Sequence, residues 1–149
     1  MKTVSSTLVV DAAILVAAVL GRTTGAMLAA QRHCALVTTD RAIAEVSRRI
    51  ELGLQQPELL GVLAGVANQM TIAPLSMLDG DMARAAAALR DTVPNRSGAT
   101  SNAHILALSW AVDGDIWTHD RDFAGAGVAT WSTINLMRAF VRQETSSEP

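Results

Sequence analysis

Short β-branched, apolar runs alternate along this chain with helix-length apolar segments, and that alternation limits the fold more than any other feature. Thr7–Val10 is such a run, Asp11 follows it, and the Ala/Leu/Val stretch at 12–20 suits a buried helix. Comparable runs at 70–74, 115–118 and 128–131 are expected to be strands. Between them, helices are expected at 26–33, at 40–52 with Asp40 as its cap, and at 57–68 from Pro57. Further helices are expected at 79–91, 102–112 and 133–142, with loops at 93–101 and 119–127. Strands separated by helices must run parallel, because parallel neighbours need crossover connections. The expected fold is therefore α/β, a three-layer α/β/α domain around a central parallel sheet. Ligands in such sheets sit beyond the carboxyl ends of the strands, so Asp11 and Asp120, each just after a strand, should share one edge.

The chain has 149 residues, half of them apolar, enough for the core of one domain; residues 1–142 are assigned to it and 143–149 to a flexible tail. A formal net charge of -2 argues against binding nucleic acid by bulk charge. Eleven of the twelve basic residues are Arg, whose planar fork suits local phosphate contacts, although compositional bias explains the same count. A single cysteine, Cys34, excludes an internal disulfide and a cysteine-rich zinc site. Asp11 interrupts the apolar run at 8–20, which is also too short to span a bilayer, so the chain is expected to be cytoplasmic.

The segment Trp117-Thr118-His119-Asp120-Arg121-Asp122-Phe123 places two carboxylates two residues apart after an apolar strand. Alone, such acids are ordinary loop and capping residues. With Asp11, two strand ends aim negative charge at one place, and a bound cation is the usual remedy for the repulsion. His33, His104 and His119 lack zinc spacing, and Asp79-Gly80-Asp81 lacks the remaining ligands of a calcium loop. The glycines near 125–127 lack dinucleotide-binding spacing, and no phosphate-cradling Gly-x-x-x-x-Gly-Lys motif occurs. Ala13 stands where a haloacid dehalogenase-type phosphotransferase would have its second Asp.

Val9-Val10-Asp11-Ala12-Ala13-Ile14-Leu15-Val16, Glu45 on an early helix, Ala103-His104-Ile105-Leu106-Ala107-Leu108 and Thr118-His119-Asp120-Arg121-Asp122-Phe123 resemble, in order and spacing, the PIN-domain ribonucleases. The length is similar to that of the VapC-type toxins of toxin-antitoxin pairs. The resemblance implies an endoribonuclease dependent on Mg²⁺ or Mn²⁺, the toxin of a type II pair, with RNA as substrate, an antitoxin protein as partner and a homodimer as assembly. It makes Asp11, Glu45 and Asp120 acidic ligands, with Asp122 close behind and Thr118 supporting them. It puts Asn102 at the third acidic position of the catalytic set and leaves Arg96 and Arg121 to meet RNA phosphate. Two positions depart from the family pattern: Asn102 replaces an acid, and Ala13 replaces a small polar residue. Asn102 brings no negative charge and cannot act as a base, so weaker metal binding is expected.

Without the resemblance these residues have plainer readings. Glu45 precedes Arg48 and Arg49 by three and four positions, which suits a helix ion pair, and Asn102 suits an N-cap. Thr118 suits a strand, and the two arginines suit an ordinary surface. The alternative functions are a catalytically weakened PIN-like module binding RNA or protein, and an RNA-processing nuclease without an antitoxin.

Overall fold

The computed structural model describes residues 2–92 and 98–147. In chain order the elements are β1 (Thr7–Val10), α1 (Ala12–Val19), α2 (Thr24–His33), β2 (Ala35–Thr39), α3 (Asp40–Arg48) and α4 (Leu59–Ala67). They continue with β3 (Thr71–Ala73), α5 (Asp79–Thr92), α6 (Gly98–Val112), β4 (Asp115–Trp117), β5 (Thr130–Trp131) and α7 (Thr133–Ser147). The strands form one sheet in the order β3-β2-β1-β4-β5, and every pairing is parallel. β1 is central, with β4 as its neighbour, as the strand-helix alternation implies.

Leu8, Val9 and Val10 are fully buried, the condition of a parallel strand covered on both faces. α6 packs on β1, β2 and β4 and is backed by α5. That double cover explains why α6 is apolar nearly all round, with Ala103, Ile105, Leu106, Ala107 and Leu108 buried together with His104 and Ser109. α1 packs against α3 and α4, while α2 packs on β2 and α7. Trp117 and Phe123 are fully buried beside the strand end that leads into the acidic segment.

Four expectations need correction. β2 was not foreseen: Ala35–Thr39 runs directly from the end of α2 into the Thr39 cap of α3, with no Gly, Pro or Asn to mark its ends. Thr39, not Asp40, caps α3, its hydroxyl accepting from the Ala42 N–H at 2.9 Å. α6 begins at Gly98, so residues 98–101 are helical and Asn102 lies inside the helix rather than at its cap. The tail expected from residue 143 is helical to Ser147: Gln143 Oε1 accepts from the Val4 N–H at 2.9 Å, and Glu144 lies 2.9 Å from His33 Nε2. Cys34 donates to the Ser5 carbonyl at 3.3 Å, and burial, with Asp115 adding, pushes its thiol up to about 11, so it is no ready nucleophile.

The β1–β4 pairing depends on a close backbone approach at Gly114, where an added Cβ would lie 2.7 Å from the Thr7 carbonyl oxygen. Because the obstacle is backbone, Gly114→Ala must push β4 away from β1. Urea denaturation should show a loss of about 1–3 kcal/mol; an unchanged midpoint would contradict the close approach.

Candidate active site

The register of the central strands builds the site. Val10 pairs with Trp117, and the Asp11 N–H donates to the Trp117 carbonyl at 3.1 Å, so Asp11 and Thr118 emerge side by side at the carboxyl edge. Asp11 then does two things. Its Oδ1 accepts from the Ala12 N–H at 2.7 Å, capping α1, and its Oδ2 accepts from the Thr118 hydroxyl at 2.6 Å. The Thr118 oxygen accepts in turn from the Asp120 N–H at 2.9 Å. One hydroxyl therefore ties both acids to the ends of β1 and β4.

Asp120 is held from two further sides. Its Oδ1 accepts from the Asp122 N–H at 2.9 Å, and its Oδ2 accepts from the Asn102 amide at 3.0 Å. The residue inside α6 thus faces the acid after β4. Glu45, on α3, joins this group through charge rather than hydrogen bonding. Its Oε1 accepts from Arg41 Nε at 3.3 Å and lies 3.7 Å from His104 Nε2. The helix ion pair of Glu45 is therefore with Arg41 and not with Arg48 or Arg49.

Electrostatics relate the three carboxylates. Burial raises the Asp11 pKa; the Thr118 and Ala12 hydrogen bonds oppose the rise, the Asp120 charge adds to it and His119 opposes it. Burial also raises the Glu45 pKa, against the pull of Arg41 and with a further push from Asp11. Asp11 is thus coupled by charge to both other acids.

Sequence reasoning missed the support around His104. This buried histidine lies 2.7 Å through Nδ1 from the Thr39 hydroxyl and turns Nε2 toward Glu45. The adjacent Thr38 donates to the Val10 carbonyl at 2.7 Å, fixing the end of β1 from its other side. The readable signal was the pair Thr38-Thr39 just before a helix. Asp122 contributes its backbone N–H to the cluster, Arg121 lines a cleft of about 380 Å³ beside Asp120, and Arg96 lies outside the described residues. Among the described residues, no three His, Cys, Asp or Glu side chains are grouped to hold a metal ion, and no helix is long and apolar enough to cross a membrane.

Fold and site together define an α/β protein with an acidic site at the carboxyl edge of a parallel sheet. The PIN domain model matches residues 9–140, and the chain belongs to the PIN domain family, whose members are generally nucleases. Seven chains of solved structures match. One of them, in a toxin-antitoxin complex from Klebsiella pneumoniae, is 18% identical with a TM-score of 0.57, over 85% of this chain and 97% of that one. At that identity it shows a shared fold. No curated protein sequence matches the chain.

The buried Asp11 gives a testable pH dependence. Its pKa is raised in the folded state, so its contribution to stability is present below the ordinary value of 3.8 and is lost as pH rises through the folded value. At pH 7, in chelator, Asp11→Asn keeps the cap without the buried charge and should melt higher than wild type, and the gap should close as pH falls toward 4. A wild type that melts higher than the variant at neutral pH would contradict the stated balance.

Proposed function

We propose that this PIN domain is a metal-dependent endoribonuclease, the toxin component of a type II toxin-antitoxin pair, acting as a homodimer in the cytoplasm. The observation that supports the reading best is the chain of hydrogen bonds from Asp11 through Thr118 to Asp120 and Asn102, with Glu45 in electrostatic contact with Asp11.

The donor set suits a hard cation. Asp11, Glu45, Asp120 and Asp122 offer carboxylate oxygen, and Mg²⁺ commonly binds through only one or two carboxylates while keeping several waters. The mutual push between Asp11 and its acidic neighbours is the condition that a cation relieves. Asp11 and Asp120 would hold the ion, with Glu45 and Asp122 as further carboxylates. When bound, Mg²⁺ or Mn²⁺ supplies water activation and charge stabilisation on the scissile phosphate. The chain's own residues supply position: Thr118 fixes the two aspartates relative to each other, His104 and Arg41 direct Glu45, and Arg121 offers a cation to the RNA phosphate beside Asp120.

A second reading has an observation of its own. The Asn102 amide occupies Asp120 Oδ2, and such a site favours a module that binds RNA or protein with weak cleavage. Metal titration of RNA cleavage separates the two. Asn102→Asp should raise Mg²⁺- or Mn²⁺-dependent cleavage by strengthening metal binding, and Asp120→Asn should abolish it. A wild type already indifferent to Asn102→Asp would refute a weakening role for Asn102, and cleavage absent in every variant would favour the binding module. A short reading frame beside the gene, whose product co-purifies and suppresses cleavage, distinguishes a toxin from an RNA-processing nuclease.

A further inference from the structure

Basic side chains gather beside the acidic site. The cleft next to Asp120 is lined by Thr118, His119, Arg121, Thr130, Ser132 and Asn135. Thr130 and Asn135 also line a second cleft of about 310 Å³, where Lys2, Arg138 and Arg142 join them. Arg138 and Arg142 then continue into a shallow apolar depression with Met137 and Val141. The three hollows share walls and form one groove. It starts at the acids on the carboxyl edge and descends along β5, the edge strand, and α7.

The groove concentrates positive charge in a chain of net charge -2: Lys2, Arg121, Arg138 and Arg142 are four of its twelve basic residues. None of the four enters an ion pair among the described residues. Among the described residues, no acidic side chain lines the second cleft. Asn135, Arg138 and Arg142 are spaced by three and four positions on α7, so they form one stripe about 10 Å long. Trp131 lines the second cleft but is buried, with its indole N–H donating to Asp115 at 2.8 Å, so it offers no free face for a base. In the second cleft, cations with no ion pair and no exposed aromatic ring beside them among the described residues match a sugar-phosphate backbone better than a base-specific ligand.

We infer that Lys2, Asn135, Arg138 and Arg142 form a track for the phosphodiester backbone of single-stranded RNA on one side of the cleavage site. The inference rests on the nuclease reading of the acidic site. Backbone contacts of this kind set affinity and salt dependence and are indifferent to sequence.

The test uses the full chain as wild type, Arg138→Ala/Arg142→Ala, and Arg22→Ala as a control. Arg22 follows the far end of α1, is exposed, and lies outside the groove. Cleavage kinetics on an unstructured oligoribonucleotide are read with binding of the same RNA in the Asp120→Asn background, across a salt series. The double variant should raise KM and Kd about tenfold with kcat little changed, and should flatten the slope of log K against log salt by about 0.7 per cation removed. Arg22→Ala should do neither. Thermal melts equal to wild type confirm that the variants are folded.

If wild type cleaves and the double variant keeps its KM and salt slope, the track is overturned while the nuclease reading stands. If nothing cleaves but RNA binding still weakens in the double variant, the track stands and the nuclease reading falls. If no form binds RNA, both fall. Unchanged RNA affinity with an altered sedimentation coefficient would make the groove a protein interface and overturn the proposal.

Discussion

The pairing register between β1 and β4 is the constraint on which the site depends. Val10 opposite Trp117 makes Asp11 and Thr118 the first residues past the paired segment on adjacent strands, and the ladder bond from the Asp11 N–H to the Trp117 carbonyl holds them there. A slip of one residue would turn each of Leu8, Val9 and Val10 to the opposite buried face and would carry Asp11 away from the Thr118 hydroxyl. The hydrophobic core and the acid pair are therefore set by the same few backbone hydrogen bonds. The close approach at Gly114 and the Thr38 clamp on Val10 stiffen this junction from both sides.

Holding acids at that junction has an electrostatic consequence. Asp11 is buried and feels Asp120, and Glu45 in turn feels Asp11. Each carboxylate has partners that offset part of the cost: Asp11 has a helix N-terminus and a hydroxyl, Asp120 has two N–H donors, and Glu45 has Arg41. These partners fix the side chains and still leave part of the repulsion in place. Preorganisation and residual repulsion thus coexist in one cluster.

Much of this was legible in the sequence, for identifiable reasons. The parallel sheet followed from the alternation of elements, and the shared edge of Asp11 and Asp120 followed from their positions after strands. β2 was hidden because Ala35–Thr39 runs directly from α2 into α3, with no turn residue to separate it from the helices on either side. The start of α6 was hidden because Gly98, Thr100 and Ser101 read locally as a loop, while packing of the helix between sheet and α5 decides the matter. His104 could not be read as a site residue, since its partners Thr39 and Glu45 belong to distant segments. The basic groove was invisible for the same reason: Lys2 and Arg142 lie at opposite ends of the chain and meet only after β5 and α7 pack.

Asn102 brings these threads together. An acid at this position would stand against Asp120 and add to the repulsion already felt around Asp11, leaving the metal-free site dependent on an ion for relief. The amide instead donates to Asp120 Oδ2, converting a repulsive contact into a charge-assisted hydrogen bond. That makes the ion-free cluster more self-sufficient and reduces what a cation gains by entering it. On the proposed metal-dependent reading the same residue favours an ordered acid cluster and weaker metal binding, and both effects come from exchanging one carboxylate oxygen for an N–H donor. On the proposed nuclease reading, RNA affinity then rests more on groups outside the acids, such as Arg138 and Arg142 of α7, which have no ion pair among the described residues.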